Sequence, residues 1–136
     1  MPDLVTIEVP VKVKGVKVTD AFDSKYKDSV AKQIKPQLEK ALAKIKVQIP
    51  KGKKLGDFAV DVSISVKKTD KGVMVEVRTA PTEDNKMLGG TKDSATVPVP
   101  KGTEIEDDDV STAAEAAAKG AAKSSIEVFS ETAKEP

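Results

Sequence analysis

The sequence contains no histidine, no cysteine and no tryptophan. Without cysteine there is no disulfide and no thiolate nucleophile. Without histidine there is no imidazole base, and with both missing there is no ordinary zinc site. A Ser-His-Asp triad and a Cys-His pair are both excluded within this chain. Aromatic residues make up only 3%, so the core must be built from Val, Ile, Leu and Ala, with Phe22, Tyr26, Phe58 and Phe129 as its only candidate rings. No apolar run approaches the length of a membrane span. The first residues lack the basic and apolar regions of a secretory signal, and the lack of cysteine suits a reducing compartment. A cytoplasmic location is the expectation. No cofactor and no metal are expected.

At 136 residues the chain has the size of one domain with an appendage. Its net charge of +1 hides a division. Residues 1–80 hold 17 basic and 10 acidic residues, whereas residues 81–136 hold 6 basic and 12 acidic. Two such halves attract each other within one fold or between copies.

Val5, Ile7, Val9, Val11 and Val13 alternate with polar residues or Pro, which predicts a half-buried strand. Pro10 has no N–H for a ladder and places that strand at an edge or breaks it. Gly15 shifts the parity of Val16 and Val18, as a bulge or turn at Lys14-Gly15 does. Asp20 offers an N-cap for a long helix. Phe22, Tyr26, Val30, Ile34, Leu38, Leu42 and Ile45 then form its apolar stripe, with Pro36 in the middle. Turns are expected at Ile49-Pro50-Lys51-Gly52 and at Val99-Pro100-Lys101-Gly102.

Phe58, Val60, Val62, Ile64 and Val66 form one face of a strand, and Val73, Val75 and Val77 one face of the next. Directly opposed residues share a face, so even positions must meet odd ones. A four-residue loop from Thr69 to Gly72 achieves this by pairing Lys68 with Val73, Val66 with Val75 and Ile64 with Val77, with Gly72 in a left-handed conformation. Residues 80–95 read as a loop, Val97 and Val99 as a short edge strand, and residues 101–109 as an acidic linker. Thr112-Ala113-Ala114-Glu115 matches a capping box. Ala114, Ala118, Ala122, Ile126, Phe129 and Ala133 line one face of the helix that follows.

The expected fold is therefore α+β. An antiparallel sheet of four or five strands carries one long helix on a face (residues 1–100), followed by an acidic linker and a C-terminal Ala-rich helix (101–136). The order of strand, long helix containing Ile34-Lys35-Pro36 and hairpin resembles small bacterial domains found beside trypsin-like peptidases, over residues 22–79 and without a diagnostic motif.

Candidate sites are few. Glu104, Glu106, Asp107, Asp108 and Asp109 crowd together, but an EF-hand register from Asp107 puts Thr112 at the glycine position and Ala118 at the final glutamate. Gly52-Lys53-Lys54 fails as a phosphate loop, because Val47 stands at the first glycine and Lys54 at the Ser/Thr. Leu88-Gly89-Gly90-Thr91 reads as a turn. Tyr26 lies on the apolar stripe with its hydroxyl at the rim, and Asp61, Ser63 and Ser65 share the exposed side of a strand.

Two functions follow. The first is a non-enzymatic interaction or assembly module, binding a protein partner or itself as a homo-oligomer. It would use edge strands and the helix residues Ala118, Ala122, Ile126 and Phe129. The alternative is polyanion binding, to nucleic acid or anionic lipid, through Lys44, Lys46, Lys51, Lys53 and Lys54. A single Arg and the lack of aromatics among these lysines supply little base recognition.

Overall fold

The computed structural model describes residues 3–136, so the first two residues of the expected 1–100 body lie outside it. In chain order the elements are β1 (Leu4–Val9), β2 (Val11–Ala21), α1 (Tyr26–Leu42), β3 (Ile45–Pro50), β4 (Phe58–Thr69), β5 (Gly72–Glu83), β6 (Lys86–Met87), β7 (Thr91–Pro98) and α2 (Asp107–Lys134).

Pro10 breaks the N-terminal strand in two. β1 pairs with β3 in a two-stranded ribbon, while β2 joins the main sheet. In that sheet β4 lies between β2 and β5, and β7 and the short β6 follow one another along the far side of β5. The class is α+β, but the expectation of one antiparallel sheet is corrected. Among the described residues there are two sheets, and β2 runs parallel to β4. Parallel neighbours need a long crossover, and α1 with β3 supplies it. The expected bulge is present as a register shift between Val13 and Gly15.

The β4–β5 hairpin has the predicted register, with Lys68 opposite Val73, Val66 opposite Val75 and Ile64 opposite Val77. The ladder extends one pair further, to Thr69 opposite Gly72. The Thr69 hydroxyl accepts the Gly72 N–H at 3.2 Å. Gly72 has φ +150°, and a Cβ there would lie 2.1 Å from the Val97 carbonyl oxygen of the adjoining strand.

Tyr26, Val30, Ile34, Leu38 and Leu42 form the buried stripe of α1. The expected N-cap is wrong: Asp20 belongs to β2, and Asp23 instead accepts the Lys25 N–H on its carboxylate at 3.1 Å. Phe22 stays 41% exposed before the helix. Ile45 is buried, but with Val47 and Ile49 it forms the inner face of β3. The two Pro-Lys-Gly turns close one residue later than expected, through Lys53 N–H to Pro50 O and Thr103 N–H to Pro100 O.

Residues 80–95 are not a loop. They complete β5 and form β6 and most of β7. α2 begins at Asp107 instead of following Thr112, and the Asp109 carboxylate accepts the Glu106 N–H at 2.9 Å. The acidic run is thus the helix's first turn, where negative charge suits the N-terminal dipole.

Both helices cover one face of the main sheet, α1 over β2 and α2 over β5 and β7, with α2 also meeting α1 and β3. Val60, Val62, Ile64, Val66, Val73, Val75 and Val77 point into this layer and are buried. Ala113, Ala114, Ala117, Ala118, Ala121 and Ala122 are buried on α2, where small side chains allow close approach.

Candidate functional site

The fold places the helix residues expected to meet a partner in its own interior. Ala118, Ala122 and Phe129 are buried, Ile126 is half-buried, and Phe129 stacks on Phe58 with centroids 4.5 Å apart. The lysine cluster does not converge. Lys44 precedes β3 and Lys51 follows it, so at about 3.3 Å per residue they stand roughly 20 Å apart. Lys46 lies on the outer side of the ribbon, opposite Glu8. Lys53 bends back to the end of α2, donating to the carbonyls of Thr132 at 2.9 Å and Glu135 at 2.5 Å. A cation there neutralises the negative end of the helix dipole.

The seam between α1 and α2 binds the basic and acidic halves together. The Tyr26 hydroxyl donates to Asp107 Oδ1 at 2.9 Å, and Lys25 Nζ lies 3.2 Å from the same oxygen. The Tyr26 hydrogen bond, then Lys25, hold the Asp107 carboxyl below the usual range. Burial first, and then Asp107, push the Tyr26 hydroxyl up. Gln33 and Gln37 donate from α1 to the α2 carbonyls of Ser111 and Glu115, at 2.8 and 3.0 Å. Tyr26 therefore sits at the rim as expected, in a structural role.

Among the described residues, no helix lies on the other face of the main sheet. Lys17, Ser63, Arg78 and Lys92 cross it in one row of paired positions. Beside them Glu76 is only 3% exposed, closed over by Lys67, Arg78 and Lys92 at 3.3–3.5 Å. Burial pushes the Glu76 carboxyl up, but the three cations together outweigh it and hold the carboxyl below its ordinary value. Asp61 and Ser63 are exposed on this face, and Ser65 is half-buried.

Within the helix layer β7 meets α2 through polar groups. The Thr79 hydroxyl bonds to those of Thr91 and Ser125. Ser124 donates to Asp93 Oδ1 at 3.1 Å, and Asp93 Oδ2 is buried without a partner. Gly120 makes room for this carboxylate, since a Cβ there would lie 3.1 Å from Asp93 Oδ1.

A groove of about 750 Å³ lies at the Pro10 corner. Ile7, Val9, Leu55 and Phe58 give it apolar walls, and Lys12, Lys14, Asp57 and Asp84 line it too. Two bonds fix one side: Glu83 accepts the Gly56 N–H at 2.9 Å and Asp84 the Asp57 N–H at 2.8 Å. β1 forms part of the wall. It has β3 on one side and, among the described residues, no strand on the other. Leu4 is 46% and Val5 39% exposed. This edge was visible in the sequence only as a segment, Leu4–Val9, with no lysine, proline or glycine.

Among the described residues no three acidic side chains converge as a metal site requires, and no helix is long and apolar enough to cross a membrane.

No protein family matches the chain, and no curated protein does. Among solved structures, the chain is similar to a candidate lipoprotein from Caulobacter crescentus CB15. The identity is 14%, with a TM-score of 0.51 over 93% of each chain. That likeness is one of fold.

Proposed function

We propose that this protein is a non-enzymatic interaction module that receives an extended polypeptide segment on the free edge of β1. The observation behind this reading is the open edge beside an apolar-walled groove. Strand addition draws affinity from main-chain hydrogen bonds and specificity from pockets that take alternate side chains. Here β1 offers the unpaired N–H and C=O groups, and the walls of Ile7, Val9, Leu55 and Phe58 offer the pocket. The favoured partner is an extended segment with apolar residues at every second position. The C-terminal helix supports the ribbon that carries this edge, packing against β3. The polyanion reading has less behind it, because Lys44 and Lys51 flank opposite ends of β3, Lys46 lies opposite Glu8, and Lys53 is engaged at the end of α2.

Panning a displayed octapeptide library tests the proposal. Selected sequences should alternate apolar and polar residues and lose binding to an Ile7→Lys variant. No enrichment, or equal enrichment on that variant, would refute it. A cytoplasmic location belongs to the same proposal, and fractionation of cells expressing a tagged copy tests it.

A further inference from the structure

We infer that the segment received by β1 is β1 of a second copy, joined across a two-fold axis. The inference rests on the reading of β1 as a docking edge and adds the identity of the partner. Edge strands are ordinarily guarded by lysine, proline, bulges or short length. The other edges of this fold carry such guards. β2 has Lys12, Lys14 and Lys17 and two register shifts. β7 has Lys92 and ends in Pro98, and β6 is two residues long. β3 carries Lys46 and ends in Pro50. β1 contains no lysine or proline, with Glu8 as its one charge and Pro10 just beyond its end, and its six residues pair with β3 without a shift. It also belongs to a ribbon of only two strands, a marginal unit that gains from further strands. Antiparallel pairing of two β1 edges gives a four-stranded sheet, β3-β1-β1-β3.

The sequence of β1 is complementary to itself in one register. Val5, Ile7 and Val9 share the inner face with Ile49, Val47 and Ile45 of β3. Opposed residues in an antiparallel pair share a face. The register that sets every inner residue opposite an apolar one places Ile7 on its own symmetry copy and Val5 opposite the copy's Val9. On the outer face the same register sets Glu8 opposite Thr6, which keeps the two Glu8 carboxylates from facing each other. A net charge of +1 adds little repulsion between copies.

The register makes a test of sign. Thr6 is exposed and faces Gln48 across its own ribbon, so charge there leaves the fold intact. Thr6→Lys creates two Lys–Glu8 pairs per dimer, and Thr6→Glu creates two Glu–Glu8 repulsions. Sedimentation equilibrium of the full chain should give twice the 14.4 kDa chain mass. The two variants should differ by about tenfold or more in dimer dissociation constant, Thr6→Lys being the tighter. Circular dichroism of each variant should match the parent. A monomer at every concentration overturns the second copy as partner; if selected octapeptides still bind, the edge reading itself stands. A dimer indifferent to both substitutions overturns the inference as well.

Discussion

Replacing Phe129 by alanine separates a core helix from a tethered one. Phe129 is fully buried, stacks on Phe58 at 4.5 Å and lies near the C-terminal end of α2. Truncating a buried Phe to Ala costs about 3–5 kcal/mol, through lost transfer energy and the cavity left behind. The surroundings have little freedom to close in, because Phe58 is itself buried in β4 and Lys53 ties the helix end to the turn after β3. A domain of 136 residues carries about 7–20 kcal/mol of total stability, so this one change removes a large share of it. The melting temperature should fall by roughly 10–17 °C. Urea denaturation followed by far-ultraviolet circular dichroism should show a lower midpoint with an unchanged slope. If the helix were a free tether that packs on another chain, the body would unfold at its original midpoint. A loss under about 0.5 kcal/mol, within the range of ordinary surface changes, would refute the placement of α2 in the core.

Glu76→Gln should cost about 1–2 kcal/mol at neutral pH, because the facing cations are half-exposed and relax into solvent. Glu76 in the parent has a depressed folded pKa, so its contribution is present above the unfolded value of about 4.3 and is lost as pH falls through the folded value. Denaturation midpoints between pH 6 and pH 2 should therefore fall less steeply in Glu76→Gln than in the parent, and equal slopes would contradict the linkage. Gly120→Ala should fail to stabilise α2, despite alanine's helix preference of about 1 kcal/mol, because its Cβ crowds Asp93. In an Asp93→Ala background the same change should become favourable, and a double-mutant cycle of urea midpoints that is additive would contradict that contact.

Much of the architecture was legible where parity or stripe spacing leaves one solution. The Ile64–Val77 register followed from even and odd positions, and the buried face of α1 from the four-residue step between Tyr26 and Leu42. The break at Pro10 and the bulge near Gly15 came from the backbone limits of those two residue types. Strand direction was not legible, because alternation is the same in parallel and antiparallel pairs. β3 was hidden because Ile45 continues the helix spacing by chance. Only the end of β7 was read, at Val97, and the rest was hidden because its inner residues Thr91, Asp93 and Ala95 have little bulk, matching the small residues of α2 that they face. The start of α2 escaped because its cap uses Glu106 and Asp109 in place of a Thr-Glu pair. Of the candidate sites, the lysine run is local in sequence but is spread along β3 by the strand's rise. An unguarded edge becomes visible only once pairing partners are known.

The claim that β1, and not the stripe of α2, is where this chain meets another is tested most directly by cross-linking at single thiols. The sequence has no cysteine, so each substitution introduces the only one. Opposed residues of an antiparallel pair have Cα atoms about 4.5–5.5 Å apart, within disulfide range. Under mild oxidation Ile7→Cys should form a covalent dimer faster than Thr6→Cys, which faces Glu8 of the second copy, while Ile126→Cys on α2 stays monomeric. Rapid dimer formation through Ile126→Cys, with Ile7→Cys left monomeric, would contradict the account.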